Sequence, residues 1–155
     1  MQRTFNRPLA SALIYGGSAA PSIYGKVEFF QKSNSVLVVA DIGGLPKNDT
    51  GFYGFHIHEG TDCKGQEFSG SNGHYNPTGK PHPNHAGDLP PLLACGEIAH
   101  LQVLTCRFKI DDIIGRTVII HNMPDDFKTQ PSGNAGTKIA CGVINRKQYQ
   151  KFFSA

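Results

Sequence analysis

Lys26-Val27-Glu28-Phe29-Phe30 alternates polar and apolar side chains and then closes on an apolar pair. A period of two belongs to a strand with one face buried and the other in water. The same rhythm recurs on both sides of this stretch. Short apolar-alternating runs separated by turn residues predict strands at Ser11–Tyr15, Gly25–Gln31, Ser35–Ile42, Tyr53–Glu59, His100–Ile110, Thr117–His121 and Lys138–Ile144. Val118-Ile119-Ile120 and Ile139-Ala140 are β-branched or small and read as inner strands. No window keeps a 3.6-residue period, and the one helical candidate is the tail, Arg146–Phe153. This pattern argues for an all-β sandwich or barrel.

Two stretches break the rhythm. Gly60–Leu93, about 34 residues, is dense in Gly, Pro, Asn and His, and Asn122–Thr137 is a second long loop. Structureless loops of this length are uncommon in compact domains and are usually functional or tied down. Ligands or a covalent bond would explain how the first one stays ordered.

Composition narrows the function. The 155 residues fit one domain, and 39% hydrophobic with 17% charged residues is ordinary for a globular protein. No apolar run reaches the roughly 18 residues that span a bilayer as a helix, so no membrane partner is expected. The first residues, MQRTFNRPLASALIYGG, lack the apolar stretch of a leader. The expectation is a cytosolic chain, or one whose leader has been removed. Net charge is +3 with Lys and Arg scattered, the densest group being Arg146, Lys147 and Lys151. Nucleic-acid binders show a concentrated basic stripe instead, so no nucleic acid is expected, while a small anionic substrate remains open. The cysteines are Cys63, Cys95, Cys106 and Cys141, none in a C-x-x-C pair, which argues against a thiolate zinc site. Three full pairings are open, and composition does not choose among them.

The histidines carry more information. His56-Ile57-His58 lies in an expected strand, where residues i and i+2 project to one face and both rings can reach one metal. The long loop adds His74, His82, His85 and Asp88, with His85 and Asp88 spaced for one turn of loop. His121 ends a β-branched strand. Imidazoles with a single carboxylate suit copper or zinc rather than calcium or magnesium.

Around these residues the sequence resembles the copper/zinc superoxide dismutase family. Gly54-Phe55-His56-Ile57-His58-Glu59, Gly73-His74-Tyr75-Asn76-Pro77, His85-Ala86-Gly87-Asp88-Leu89 and Gly115–His121 are similar to its ligand-bearing segments. Gly133–Ile144 looks like its C-terminal signature, and His82 follows His74 by the family's interval of eight. The resemblance covers roughly residues 10–145 and leaves 146–155 as a tail.

Pattern and resemblance together lead us to expect an all-β, Greek-key, immunoglobulin-like sandwich or flattened barrel. It would have about eight antiparallel strands and two long functional loops. The resemblance implies copper held by His56, His58, His74 and His121. It implies zinc held by His74, His82, His85 and Asp88, with His74 bridging the two. Asp125 matches a carboxylate that hydrogen-bonds one ligand ring of each metal, and Cys63 with Cys141 matches the bacterial-type disulfide. His100, Cys95 and Cys106 match no family position, so a surface or strand histidine and two buried free thiols are expected. The implied activity converts superoxide to dioxygen and hydrogen peroxide by cycling copper between two oxidation states while zinc stays structural. A homodimer is compatible with the resemblance, which does not choose its face. Lys138 departs from the family, which usually has Arg there as the cationic anchor near copper. Lys128 is a second cation placed to steer an anion. The rival reading, a copper-binding or copper-transfer module on the same fold, draws its support from Lys138.

Overall fold

The computed structural model describes residues 7–149. Its strands are β1 (Ala10–Gly16), β2 (Tyr24–Lys32), β3 (Ser35–Gly43), β4 (Phe52–Tyr53), β5 (Phe55–His58), β6 (Leu92–Cys95), β7 (Ile98–Thr105), β8 (Thr117–His121) and β9 (Lys138–Arg146). All pairings are antiparallel, in the order β4-β6-β7-β3-β2-β1-β9-β8-β5. The two ends of this sheet, β4 and β5, are separated in the chain by Gly54 alone. A single residue therefore links the two margins, and the sheet curls into a nearly closed barrel. The all-β expectation holds, and the β3–β7 and β1–β9 neighbours supply its crossovers.

The alternation read in Lys26–Phe30 has its physical basis here. Val27 and Phe29 are fully buried, as are their counterparts Val38 and Ala40 on β3 and Ala10 and Ala12 on β1. Lys26 and Glu28 face outward and pair with one another at 3.0 Å. Strands β5 and β8 are buried along their whole length. Their outer face lies under the first long loop, where Phe68 packs on Ile119 and Cys141 beside Cys63. Two covered faces explain why Val118-Ile119-Ile120 is a continuous apolar run rather than an alternating one.

Some boundaries differ from the sequence reading. The segment Tyr53–Glu59 divides at Gly54, whose N–H donates to the Met123 carbonyl and whose carbonyl accepts from the His121 N–H, both at 2.8 Å. The strand expected over His100–Ile110 stops at Thr105, and Ile110–Ile113 forms one helical turn, with the Lys109 N–H capped by Asp112 at 2.9 Å. Strand β6 lies partly inside the stretch read as loop, concealed behind Pro90-Pro91, and turns into β7 at Gly96-Glu97. Arg146, expected to start a helix, ends β9 paired with Ala10, because the strand register continues past Ile144. Residues 150–153 of that expected helix, with Phe152-Phe153, lie outside the described residues.

Cys63 and Cys141 form the disulfide. Cys95 and Cys106 are free, as expected, but exposed rather than buried. Cys95 shares the outward face of β6 with Leu93, and Cys106 follows the buried Thr105 just past β7. The disulfide joins residues 78 apart and pins the first loop to β9, the third strand counting from the β5 margin. Replacing both partners by Ser is expected to destabilise the protein by about 4–5 kcal/mol in the chain-entropy account. Urea unfolding of the metal-free forms checks this, and an unchanged midpoint would show that the loop is held by packing alone.

Candidate metal centre

β5 is a margin strand, and its free edge is the scaffold of the site. The first loop folds back onto that edge: Tyr75 N–H donates to the Ile57 carbonyl at 2.8 Å, and Ile57 N–H donates to the Gly87 carbonyl at 2.9 Å. His58 thereby faces His74, and His56 faces Asp88, in bridge-like pairs. Gly87 is required at this approach, since a Cβ there would lie 2.1 Å from the Ile57 carbonyl oxygen. The family-like His-Ala-Gly-Asp sequence thus reflects a backbone that must lie flat against β5.

Two groups of buried side chains result, each with its ligand atoms within 4.8 Å of one another. One is His56, His58, His74 and His121; the other is His74, His82, His85 and Asp88. His74 belongs to both. His100 joins neither; it sits exposed on β7 and contacts Asp41 at 2.6 Å.

Hydrogen bonds on the far side of four of the rings assign which nitrogen is free. His58 Nδ1–H donates to the Asn72 carbonyl at 2.8 Å and His121 Nδ1–H to the Gly136 carbonyl at 3.2 Å. Asp125 accepts from His56 Nε2–H at 2.7 Å and from His82 Nε2–H at 2.9 Å. The lone pairs that remain point inward. His58 Nε2 and His121 Nε2 face each other at 3.2 Å. His82 Nδ1 lies 3.1 Å from Asp88 Oδ2, outside hydrogen-bonding geometry. His56 Nδ1, His74 Nε2 and His82 Nδ1 are buried without any hydrogen-bond partner. Unpaired buried acceptors cost roughly 1–3 kcal/mol each, and lone pairs aimed at one another repel. A cation among each group removes both penalties, so the residues fit two metal ions. The first group is all nitrogen and suits copper, while three nitrogens and a carboxylate suit tetrahedral zinc.

Burial, then the charge of neighbouring rings, holds His56 and His58 well below the ordinary imidazole pKa. Burial lowers His121 to about 4 against the opposing pull of the Gly136 carbonyl, and it also lowers His85. Burial pushes Asp88 upward, but the hydrogen bond from His74 and the charges of His74, His82 and His85 outweigh it, and its carboxyl sits below the usual value. All four rings are therefore neutral at neutral pH, the form that binds metal.

An open cleft of about 490 Å³ reaches the first group, lined by His58, His74, His121, Gly136, Ser132 and Lys138 among others. Lys138 Nζ donates to Ser71 Oγ and to the Asn72 carbonyl, both at 2.8 Å. That carbonyl is the same one that orients His58. Partial burial lowers the Lys138 pKa. Lys128 is exposed and does not line the cleft. Asn72, Gly136, Arg107 and Gln130 contribute to the site and carry no sequence signal, because they act on or through backbone atoms.

The class that fold and site define is a nearly closed antiparallel barrel carrying two ligand groups, one mostly on strands β5 and β8 and one on the first loop, that share one imidazole. The model of the family described as copper/zinc superoxide dismutase (SODC) matches residues 23–144, and the chain belongs to that family. It is 38% identical over 140 residues to a copper/zinc superoxide dismutase of Aquifex aeolicus (strain VF5), covering 79% of each chain. It is 37% identical over 142 residues to the copper/zinc superoxide dismutase of Legionella pneumophila, covering 86% of this chain and 85% of the relative.

Two outcomes follow from this geometry. Asp125→Ala removes the acceptor from a ring in each ligand group and is expected to lower metal affinity at both by roughly 10–100-fold; chelator competition measures this, and affinities equal to wild type would refute the role of Asp125. The metal-free protein should lose stability as pH falls from the unfolded imidazole value near 6.5 towards the folded His121 value of about 4. The sign follows because the folded rings bind fewer protons than the unfolded ones over that window. Thermal melts from pH 7.5 to pH 4 should fall steadily, and a flat profile would contradict the depressed values.

Proposed function

We propose that the chain dismutes superoxide to dioxygen and hydrogen peroxide. His56, His58, His74 and His121 would hold copper, and His74, His82, His85 and Asp88 would hold zinc. The observation that carries the reading is His74: its Nε2 is buried without a hydrogen-bond partner on one side, and its Nδ1 meets Asp88 at 2.7 Å on the other. Bound copper supplies a one-electron acceptor and donor, and bound zinc fixes the loop and the shared ring.

The protein's own groups do the rest. Lys138 presents positive charge in the cleft and draws the anion towards His58, His74 and His121. His74 Nε2, when free of copper, is the atom suited to hold one proton taken from water for the peroxide product, and water supplies the second directly. Asp125 and the Asn72 and Gly136 carbonyls keep the rings from turning. Superoxide is the partner in this reading, and the whole chain acts as one domain. We carry a homodimer with it, the exposed Leu13, Tyr15 and Tyr24 on β1 and β2 being a candidate contact face.

Lys138 supports a finer expectation. An ammonium has three donors, and two are committed to Ser71 and Asn72. One remains for the substrate, where a guanidinium would offer a planar fork. The test is superoxide decay with protein loaded with copper and zinc, at several ionic strengths. We expect fast, salt-sensitive decay, a loss on the order of 10-fold or more in Lys138→Gln, and a gain in Lys138→Arg. Bound copper without accelerated decay would favour the copper-binding module. An Arg variant no faster than wild type would remove the argument about orientation.

A further inference from the structure

Two side chains outside both ligand groups hold the segment that carries His82, His85 and Asp88. Gln130, in the second loop, pairs with the His82 backbone in both directions. The His82 N–H donates to Gln130 Oε1 at 2.8 Å, and Gln130 Nε2 donates to the His82 carbonyl at 2.7 Å. Arg107, two residues past β7, directs Nη1 at the carbonyls of Pro83 at 2.8 Å, His85 at 3.2 Å and Asp88 at 3.4 Å. Gln130 thus ties the first loop to the second, and Arg107 ties it to the barrel wall. Both side chains belong to exposed residues, and neither hydrogen-bonds a ligand atom.

Fixing the backbone of one residue costs roughly 1–2 kcal/mol of conformational entropy. A loop held at residues 82, 83, 85 and 88 has met part of that cost before a metal enters, so less is lost on binding. It also resists the local opening through which a metal escapes. We propose that Gln130 and Arg107 are positioning residues that preorganise the 82–88 segment and set how long zinc stays bound. This rests on the assignment of zinc to His74, His82, His85 and Asp88 made above.

The test uses the full-length, disulfide-intact protein loaded with copper and zinc, and follows release of each metal to a chromophoric chelator. Gln130→Glu keeps the size and the acceptor but loses the donor and sets an anionic oxygen against the His82 carbonyl. A residue that only fills space would tolerate that change. Arg107→Ala removes the three-carbonyl contact, and Arg107→Lys keeps the charge without the fork. Zinc release from Gln130→Glu and Arg107→Ala should be on the order of 10-fold faster than from wild type. Arg107→Lys should be intermediate, and copper release and metal-free melting should be unchanged. Zinc release at the wild-type rate, or zinc and copper lost together, would overturn the proposal. Wild-type protein that takes up no zinc would overturn the underlying assignment, and the proposal with it.

Discussion

Six imidazole rings and one carboxylate are packed into a space where nearly every inward-facing atom is a lone-pair acceptor. Four of the rings, His56, His58, His82 and His121, ease that crowding with an N–H turned outward and met there. The outward partners are Asn72, Asp125 and Gly136. None lies in a strand. Asn72 comes from the first loop, and Asp125 and Gly136 come from the second. The two long loops therefore build the site as much as the ligand-bearing strands do. Asp125 is the junction, because one carboxylate orients a ring from each ligand group.

The barrel itself does not depend on that polar cluster. Its main core runs through Val27, Phe29, Val36, Val38, Ala10, Ala12 and Ile144, away from the rings. Among the described residues, the buried carboxylates and the unpaired buried ring nitrogens lie at the β5–β8 end and in the loops laid on it. Gly133 shows how tight that end is: its φ is +68°, and a Cβ would lie 2.2 Å from Asp125 Oδ1 and 2.6 Å from His82 Nε2. A side chain there would break the carboxylate bridge without touching the core.

Legibility in the sequence divided along the same line. Period-two alternation exposed β1, β2 and β3 because each has one buried face and one wet one. It exposed β8 through β-branching because both of its faces are covered. It missed β6, only four residues long and preceded by two prolines, and it ran Tyr53–Glu59 together because Gly54 breaks a pairing rather than a pattern. The ligand residues were legible as residue types at characteristic spacings. Asn72, Gly136, Gln130 and Arg107 were not, because a backbone carbonyl has no residue type and a side chain that grips backbone leaves no spacing. The exposure of Cys95 and Cys106 was misjudged because free cysteine is usually buried, whereas here the strand register and the end of β7 turn both outward.

Lys138 shows how one position joins these two layers. It opens β9 across a register shift from His121, and its ammonium reaches back to Ser71 and Asn72 in the first loop. The Asn72 carbonyl then accepts from both a lysine that lines the cleft and a histidine of the first ligand group. Charge at the cleft and orientation of His58 share one oxygen atom. A cation that moved to follow the anion would leave the carbonyl to His58 alone, and one that stays fixed offers the anion a static charge. The two hydrogen bonds to Ser71 and Asn72 favour the fixed arrangement, since an ammonium that leaves the wall must give them up before water replaces them. Lys138 is therefore held as a fixed positive charge on the cleft wall, with one donor left uncommitted.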